Sequence, residues 1–330
     1  MEIPIDDLHG MLVGAFEAMG APPDQAHAAA EMCLDAELRE HRSHGVRLVR
    51  NIATEYRLGE SRRRPLTIEN ETPASAVVDG GYQLSPYVHR VAVDLLATKA
   101  ATVGVAMVGV RHAGVSGALG YLVERVARRG LVAIAFNSTP LVVVAPGASQ
   151  PALGTNPLAI GLPRPGADPL VLDMATSAIA FNNVMRLHAL GERLPEGVAL
   201  DAQGAPTTDP RSAVDAQGRG RVLPFGGHRG FGLALMIELI AAGYVTGRTG
   251  AVKRGEALHE PDDFGALYLA FDPVLLGDAS EAESAIEQLL SEIVASGGRL
   301  PGEQSRLRRE AHLAAGTLDL DENAADVLGL

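Results

Sequence analysis

The stretch Arg42-Ser43-His44-Gly45-Val46-Arg47-Leu48 carries the residues best suited to move a proton. An imidazole titrates near neutrality and is the usual general acid or base. Ser43 supplies a hydroxyl beside it, and Gly45 lets a ligand come close to the backbone. A turn that merely ends a helix would account for the same letters. Among ten histidines, His44 is the best placed. His41 is a less specific neighbour. His112 stands at the edge of a glycine-rich loop and could face the same cleft.

Two glycine-rich stretches offer anion sites. Gly114-Val115-Ser116-Gly117-Ala118-Leu119-Gly120 lies between an expected strand and an expected helix, where a dinucleotide fingerprint would sit. Ser116 replaces a required glycine, and the next strand ends at Asn137 with no acid for a ribose. A tight turn before a helix explains the loop equally well. Gly226-Gly227-His228-Arg229-Gly230-Phe231-Gly232 opens a helix whose free N–H groups and arginine could cradle phosphate, or could simply permit close packing. No zinc spacing, nucleophile elbow or Walker loop is present.

These residues must be positioned by an alternating α/β chain. The N-terminal part reads as three helices, over about 5–20, 22–40 and 46–58, with Leu8, Leu12 and Phe16 on one stripe of the first. From residue 66 the texture changes to strands at 74–80, 103–110, 131–138, 141–145, 158–163, 169–177 and 265–273. Helices are expected at 85–100, 118–130, 227–247 and 279–296, and the tail from about 304 reads as helical, then irregular. The expected organisation is an N-terminal helical region (1–65), a nucleotide-binding α/β core (66–275) and a C-terminal segment (276–330) that packs back on the N-terminal region. A net charge of −12 argues against nucleic acid as a partner. The acidic N-terminus and single cysteine, Cys33, point to the cytoplasm. No apolar run reaches the roughly 18 residues that would make a membrane partner.

Eight segments then occur in a telling order: HRSHGVRL, NSTP, LGTNPLAIGLP, LVLDMATS, LDAQGAPTTDP, LPFGGHRGFGLALMIELIAAGYVTG, LAFDP and LPGE. Together they resemble the malate/L-lactate dehydrogenase family that is distinct from the Rossmann dehydrogenases. Its relatives include ureidoglycolate dehydrogenase, diketogulonate reductase and piperideine-carboxylate reductase. The resemblance implies an NAD(P)H-dependent oxidoreductase, usually a homodimer. It implies a mixed, largely antiparallel central sheet of non-Rossmann type, with an N-terminal helical region and a C-terminal helical segment. It places the cofactor against Asn156, Asp173, Met174, Ala175, Thr176, Pro224, Phe225, Gly226, Arg229, Gly302 and Glu303. Ser43 and His44 match the family's SHG motif, with His44 beside the substrate as proton donor. No metal is implied.

At the substrate end the chain departs from the family. Four residues beyond the histidine, where an arginine is expected, stands Leu48, and the tyrosine position holds Ile52. The loop histidine falls on Val115 when aligned through Gly117, Gly120 and Tyr121, and a lysine of some members falls on Pro140. A shifted loop would bring His112 or Arg47 into play instead. The expected substrate is therefore a bulkier or less polar ketone or cyclic imine, in a specialised biosynthetic role. The alternatives are a conventional 2-hydroxy-acid dehydrogenase, or a weakly catalytic nucleotide-binding homologue, against which the retained Ser43 and His44 argue. NADH and NADPH are left open, with Arg306, Arg308 and Arg309 as candidates for a 2′-phosphate.

Overall fold

The computed structural model describes residues 1–215, 219–250 and 263–329. They form two compact units. The first comprises Met1–Ala135, Ala159–Asp173 and Tyr268–Leu330, the second Phe136–Leu158 and Met174–Leu267.

In the first unit, α1 (Ile5–Ala18) buries Leu8, Leu12 and Phe16 completely. Helix α2 (Pro23–Leu38) begins with proline at its first turn, where no N–H is missed. Its alanines bring neighbouring backbones close, and Cys33 is buried among them. Helix α3 (Leu48–Leu58) turns Leu48, Val49, Ile52 and Tyr56 into the same apolar cluster. The chain ends join here: β1 (Glu2–Pro4) pairs antiparallel with β11 (Thr317–Asp319), and the Met1 ammonium donates to the Leu320 carbonyl at 2.8 Å. The tail is therefore more ordered than its sequence indicates. Helix α11 (Glu303–Ala315) is followed by β11 and then α12 (Glu322–Leu328). Strand β11 exists because a partner more than 300 residues away supplies its hydrogen bonds, which no local pattern announces.

The central sheet has seven strands in the order β2 (Thr67–Glu69), β3 (Ser75–Asp79), β4 (Val105–Arg111), β10 (Ala266–Phe271), β5 (Val132–Asn137), β8 (Leu158–Leu162) and β9 (Leu170–Met174). It is mixed and largely antiparallel, with β3 and β4 parallel. Helix α4 (Ser85–Val103) crosses between that parallel pair, α5 (Leu119–Ala127) follows the glycine loop, and α10 (Ala279–Ala295) follows β10. A buried polar pair joins α4 to β10: the Tyr268 hydroxyl lies 2.7 Å from His89 Nδ1, and both residues are essentially unexposed. Burial pulls the His89 pKa down to about 4, so the pair is uncharged at neutral pH.

The second unit holds the short pair β6 (Val143–Val144) and β7 (Pro151–Leu153), with helices α6 (Phe181–Leu190), α7 (Pro210–Ala213), α8 (His228–Ile237) and α9 (Tyr244–Thr246). Its core gathers Val143, Val184, Val222 and Ala234. Between α8 and α9 the helix widens over Glu238–Gly243 into a π turn. By length and composition alone, His228–Thr246 would suffice to cross a bilayer. Within it, the buried Glu238 carboxylate takes hydrogen bonds from the Asn156 amide and the Gly250 N–H, so one face of this helix is tied into the unit.

Replacing Tyr268 by Phe keeps the ring but leaves the buried His89 nitrogen without its partner. We expect a loss of about 1–3 kcal/mol, read from urea unfolding. An unchanged midpoint would show that the pair contributes nothing.

Candidate active site

The Ser43-His44-Gly45 turn follows the end of α2. Its bends are closed by the His44 N–H on the His41 carbonyl (2.8 Å) and the Leu48 N–H on the Gly45 carbonyl (2.9 Å). Below it stands Glu37, from the last turn of α2 and only 5% exposed. Its carboxylate accepts the Val46 N–H at 2.7 Å. A Cβ on Gly45 would lie 2.1 Å from Glu37 Oε1, so glycine is required there by a side chain packed against its Cα. Burial pushes the Glu37 carboxyl up, against the lowering effects of the Val46 N–H, Arg42 and Arg47.

Ser43 Oγ is 2.8 Å from His44 Nδ1. A hydroxyl can donate or accept, so the pair supports both neutral tautomers of the ring. With Ser43 donating, Nε2 carries the proton. With Nδ1 donating to Ser43, Nε2 is a free base. Burial lowers the His44 pKa below its usual 6.5, so the resting imidazole is neutral at pH 7. His41 is also lowered, chiefly by burial, with Asp173 opposing, and its Nε2 meets Ser305 Oγ at 2.8 Å.

The two arginines beside the turn share one carboxylate oxygen. Arg42 Nη1 and Arg47 Nη2 lie 3.0 and 2.5 Å from Asp321 Oδ2. Asp321 is also the N-cap of α12, accepting the Ala324 N–H at 3.0 Å. Burial would raise its pKa, but the bonds from Arg47, Ala324 and Arg42 prevail and bring it to about 2.

The residues expected at the substrate end separate into two groups. Leu48 and Ile52 are 2% and 1% exposed and belong to the core, so they do not line a pocket. The stripe beside them, Arg47, Asn51 and Glu55, is the one that leaves the core. Glu55 takes the Val115 N–H at 2.9 Å, filling the space a Cβ on Gly114 would need. The Val115 side chain packs on the same cluster as Leu48 and Ile52. His112, at φ +50°, places Nδ1 2.8 Å from Asp79, which Arg64 also grips at 2.7 Å. Pro140 is exposed, in the second unit. Glu37, Glu55 and Asp321 did not stand out in the sequence. The only local sign was Asp321 opening a helical stretch as a capping residue.

Of the expected cofactor residues, the first unit holds Asp173, Gly302 and Glu303. Asp173, at the end of β9, accepts the Gly120 N–H at 2.7 Å and so ties the glycine loop to the DMATS segment. Gly302 adopts φ +72° and lies so close to β9 that a Cβ would meet the Val171 carbonyl at 2.6 Å. Glu303 accepts the Leu300 N–H at 3.2 Å. This turn borders a small cleft that shares Arg164, Asp168 and Arg306 with an open cavity of about 640 Å³. Of the three candidate arginines, Arg306 alone lines it, and each is ion-paired: Arg306 with Glu310, Arg308 with Glu40 and Arg309 with Asp35.

The second unit holds the rest. Asn156 is fully buried: its amide donates to Ala234 O and Glu238 Oε2 at 3.0 Å each, and its Oδ1 accepts the Thr139 N–H at 3.1 Å. Its side chain has no surface for a ligand and acts as a strut. Thr176 is equally internal, donating to the Thr155 carbonyl at 2.8 Å. Met174 and Ala175 are half-buried, Pro224 is buried, and Phe225 is half-buried. Gly226 and Arg229 are exposed where α8 begins, an arrangement suited to a phosphate. Within the second unit, the open start of α8 with Arg229 beside it has the free N–H groups and the cation that an anionic group of a nucleotide would need.

Comparison with known proteins agrees along the whole chain. The profile of the Malate/L-lactate dehydrogenase family matches residues 3–328. L-sulfolactate dehydrogenase of Methanothermobacter thermautotrophicus is 34% identical over 319 residues, 95% of this chain and 91% of that protein. The Δ1-pyrroline-2-carboxylate/Δ1-piperideine-2-carboxylate reductase of Pseudomonas syringae pv. tomato is 34% identical over 306 residues, 91% and 88% of the two chains. The solved δ1-piperideine-2-carboxylate reductase of that organism superposes with a TM-score of 0.87 at 31% identity, covering 99% of this chain and 98% of its own.

Gly45→Ala should drive the turn off Glu37. We expect about 1–3 kcal/mol of destabilisation, as for an overpacked site, and a collapse of turnover with nucleotide affinity kept. Equal turnover in the variant, measured beside its melting temperature, would remove Glu37 from beneath the turn.

Proposed function

The chain belongs to the malate/L-lactate dehydrogenase family of NAD(P)-dependent oxidoreductases, and on that premise we propose that it reduces the C=O or C=N bond of a bulkier or less polar ketone or cyclic imine, with His44 as the proton donor. One observation carries this reading. The Ser43–His44 pair is intact, while both guanidinium groups beside it are already held by Asp321. A small keto acid needs a free cation for its carboxylate, and an arginine is the residue that pairs with it best. A cyclic imine or a larger ketone depends less on that pairing.

NAD(P)H supplies the hydride when bound. The chain's own residues do the rest. The carbonyl oxygen or imine nitrogen sits at His44 Nε2, which delivers a proton as negative charge develops there. The proton comes from the imidazolium form of the ring, whose Nδ1–H stays bonded to Ser43 Oγ and which is left neutral by the transfer. In the oxidative direction the neutral imidazole that burial favours is already the base. The α8 start with the exposed Arg229 is suited to an anionic group of the cofactor.

A conventional 2-hydroxy-acid dehydrogenase is the second reading. It is favoured by the sulfolactate dehydrogenase relative and by Arg47, three residues after His44. We further propose a homodimer in the cytoplasm. Leu235, Met236, Leu239 and Tyr244 leave an apolar face along one helical stretch, Tyr244 at 88% exposure, and a second copy would cover it.

Turnover of imines or bulky ketones with weak turnover of malate, lactate and their keto acids supports the first reading; efficient malate or lactate turnover sinks it. His44→Ala should cost about 10²–10⁴ in kcat while nucleotide titration is unchanged. The pH profile has a definite sign. Because the folded pKa of His44 lies below 6.5, kcat/KM for reduction falls as pH rises through a value under 6.5, and oxidation rises through the same value. A reductive limb above pH 7 would contradict His44 as donor in its resting environment.

A further inference from the structure

We propose that Asp321 is a specificity-determining residue: its carboxylate occupies the guanidinium of Arg47, which would otherwise receive a carboxylate or sulfonate group of the substrate. The inference rests on the active-site reading above, since it takes the Ser43-His44 turn as the place of reaction.

Three observations meet here. Arg47 stands three residues from His44 and opens α3, on the stripe that leaves the core. Its Nη2 is 2.5 Å from Asp321 Oδ2, the oxygen that also holds Arg42. Its Nε is buried and, among the described residues, has no acceptor. An arginine presents a fork of donors suited to a two-point carboxylate. Asp321 meets only one arm of that fork, because its other oxygen caps α12 at the Ala324 N–H. The guanidinium is thus held by an internal anion but not saturated by it, which is what a masked anion site requires.

A purely structural clip would look similar, so the role must be tested where the two differ. Asp321→Ser keeps a good helix cap and removes the charge. The probe is oxamate, a small anion with a carbonyl beside its carboxylate, titrated calorimetrically into the full-length protein with reduced cofactor present. Removing the masking carboxylate should tighten oxamate binding about tenfold, the scale of one charged hydrogen bond. Adding Arg47→Leu to that variant should abolish the gain. In the otherwise native chain, Arg47→Leu should leave oxamate affinity within about twofold, because a masked cation contributes little to the anion. Unchanged or weaker oxamate binding in a folded Asp321→Ser variant overturns the proposal. So does a tenfold loss from Arg47→Leu alone with the melting temperature unchanged, which would show that Arg47 reaches the anion with Asp321 in place; this arm stands even if the Asp321 variant fails to fold. Efficient malate turnover by the native enzyme would sink the substrate reading, whereas only these affinities bear on the mask.

Discussion

The hydrogen bond from the Val46 N–H to the buried Glu37 carboxylate sets the position of the Ser43–His44 pair. A carboxylate this buried is costly unless donors and cations compensate it. Val46, Arg42 and Arg47 offset part of that cost, and they belong to the turn that Glu37 supports. Support and turn therefore stabilise one another. Gly45 follows from the same contact, because the Glu37 side chain occupies the volume of any Cβ there.

The dependence runs on through the arginines. Arg42 and Arg47 reach Asp321, Asp321 caps α12, and α12 follows a strand that pairs with residues 2–4. The Ser43–His44 turn is thus referred to both ends of the chain. This explains how a turn placed on no regular element can keep its geometry. The flanking charges thereby hold the loop against the C-terminal helix.

In the second unit, Asn156 works by the same logic with neutral groups. Its amide joins the backbone of α8, the Glu238 carboxylate and the Thr139 N–H. Thr176 adds a bond to the neighbouring carbonyl. A buried amide fully satisfied in this way rigidifies its surroundings, since losing any partner leaves a desolvated polar group. Both residues belong to segments that carry the family resemblance, yet their side chains face inward. The exposed groups available to a ligand are their neighbours, such as Arg229 and the backbone at Gly226.

The sequence by itself determined much. Periodicity located the helices of the N-terminal region and most strands of the sheet, because apolar spacing reports which face of an element is buried. The ordered motifs established the family, the non-Rossmann sheet and the turn that bears His44. Which side chains around that turn are buried and which are exposed came only from the tertiary structure. Leu48 and Ile52 look like replacements for polar substrate contacts, yet on α3 they point into the core, and Arg47, Asn51 and Glu55 form the outward stripe. One helical position is about 100° of rotation, so a single-residue shift exchanges pocket for core. Glu37 and Asp321 were silent for a different reason. A carboxylate's role depends on its partners, and those of Asp321 lie more than 270 residues away along the chain.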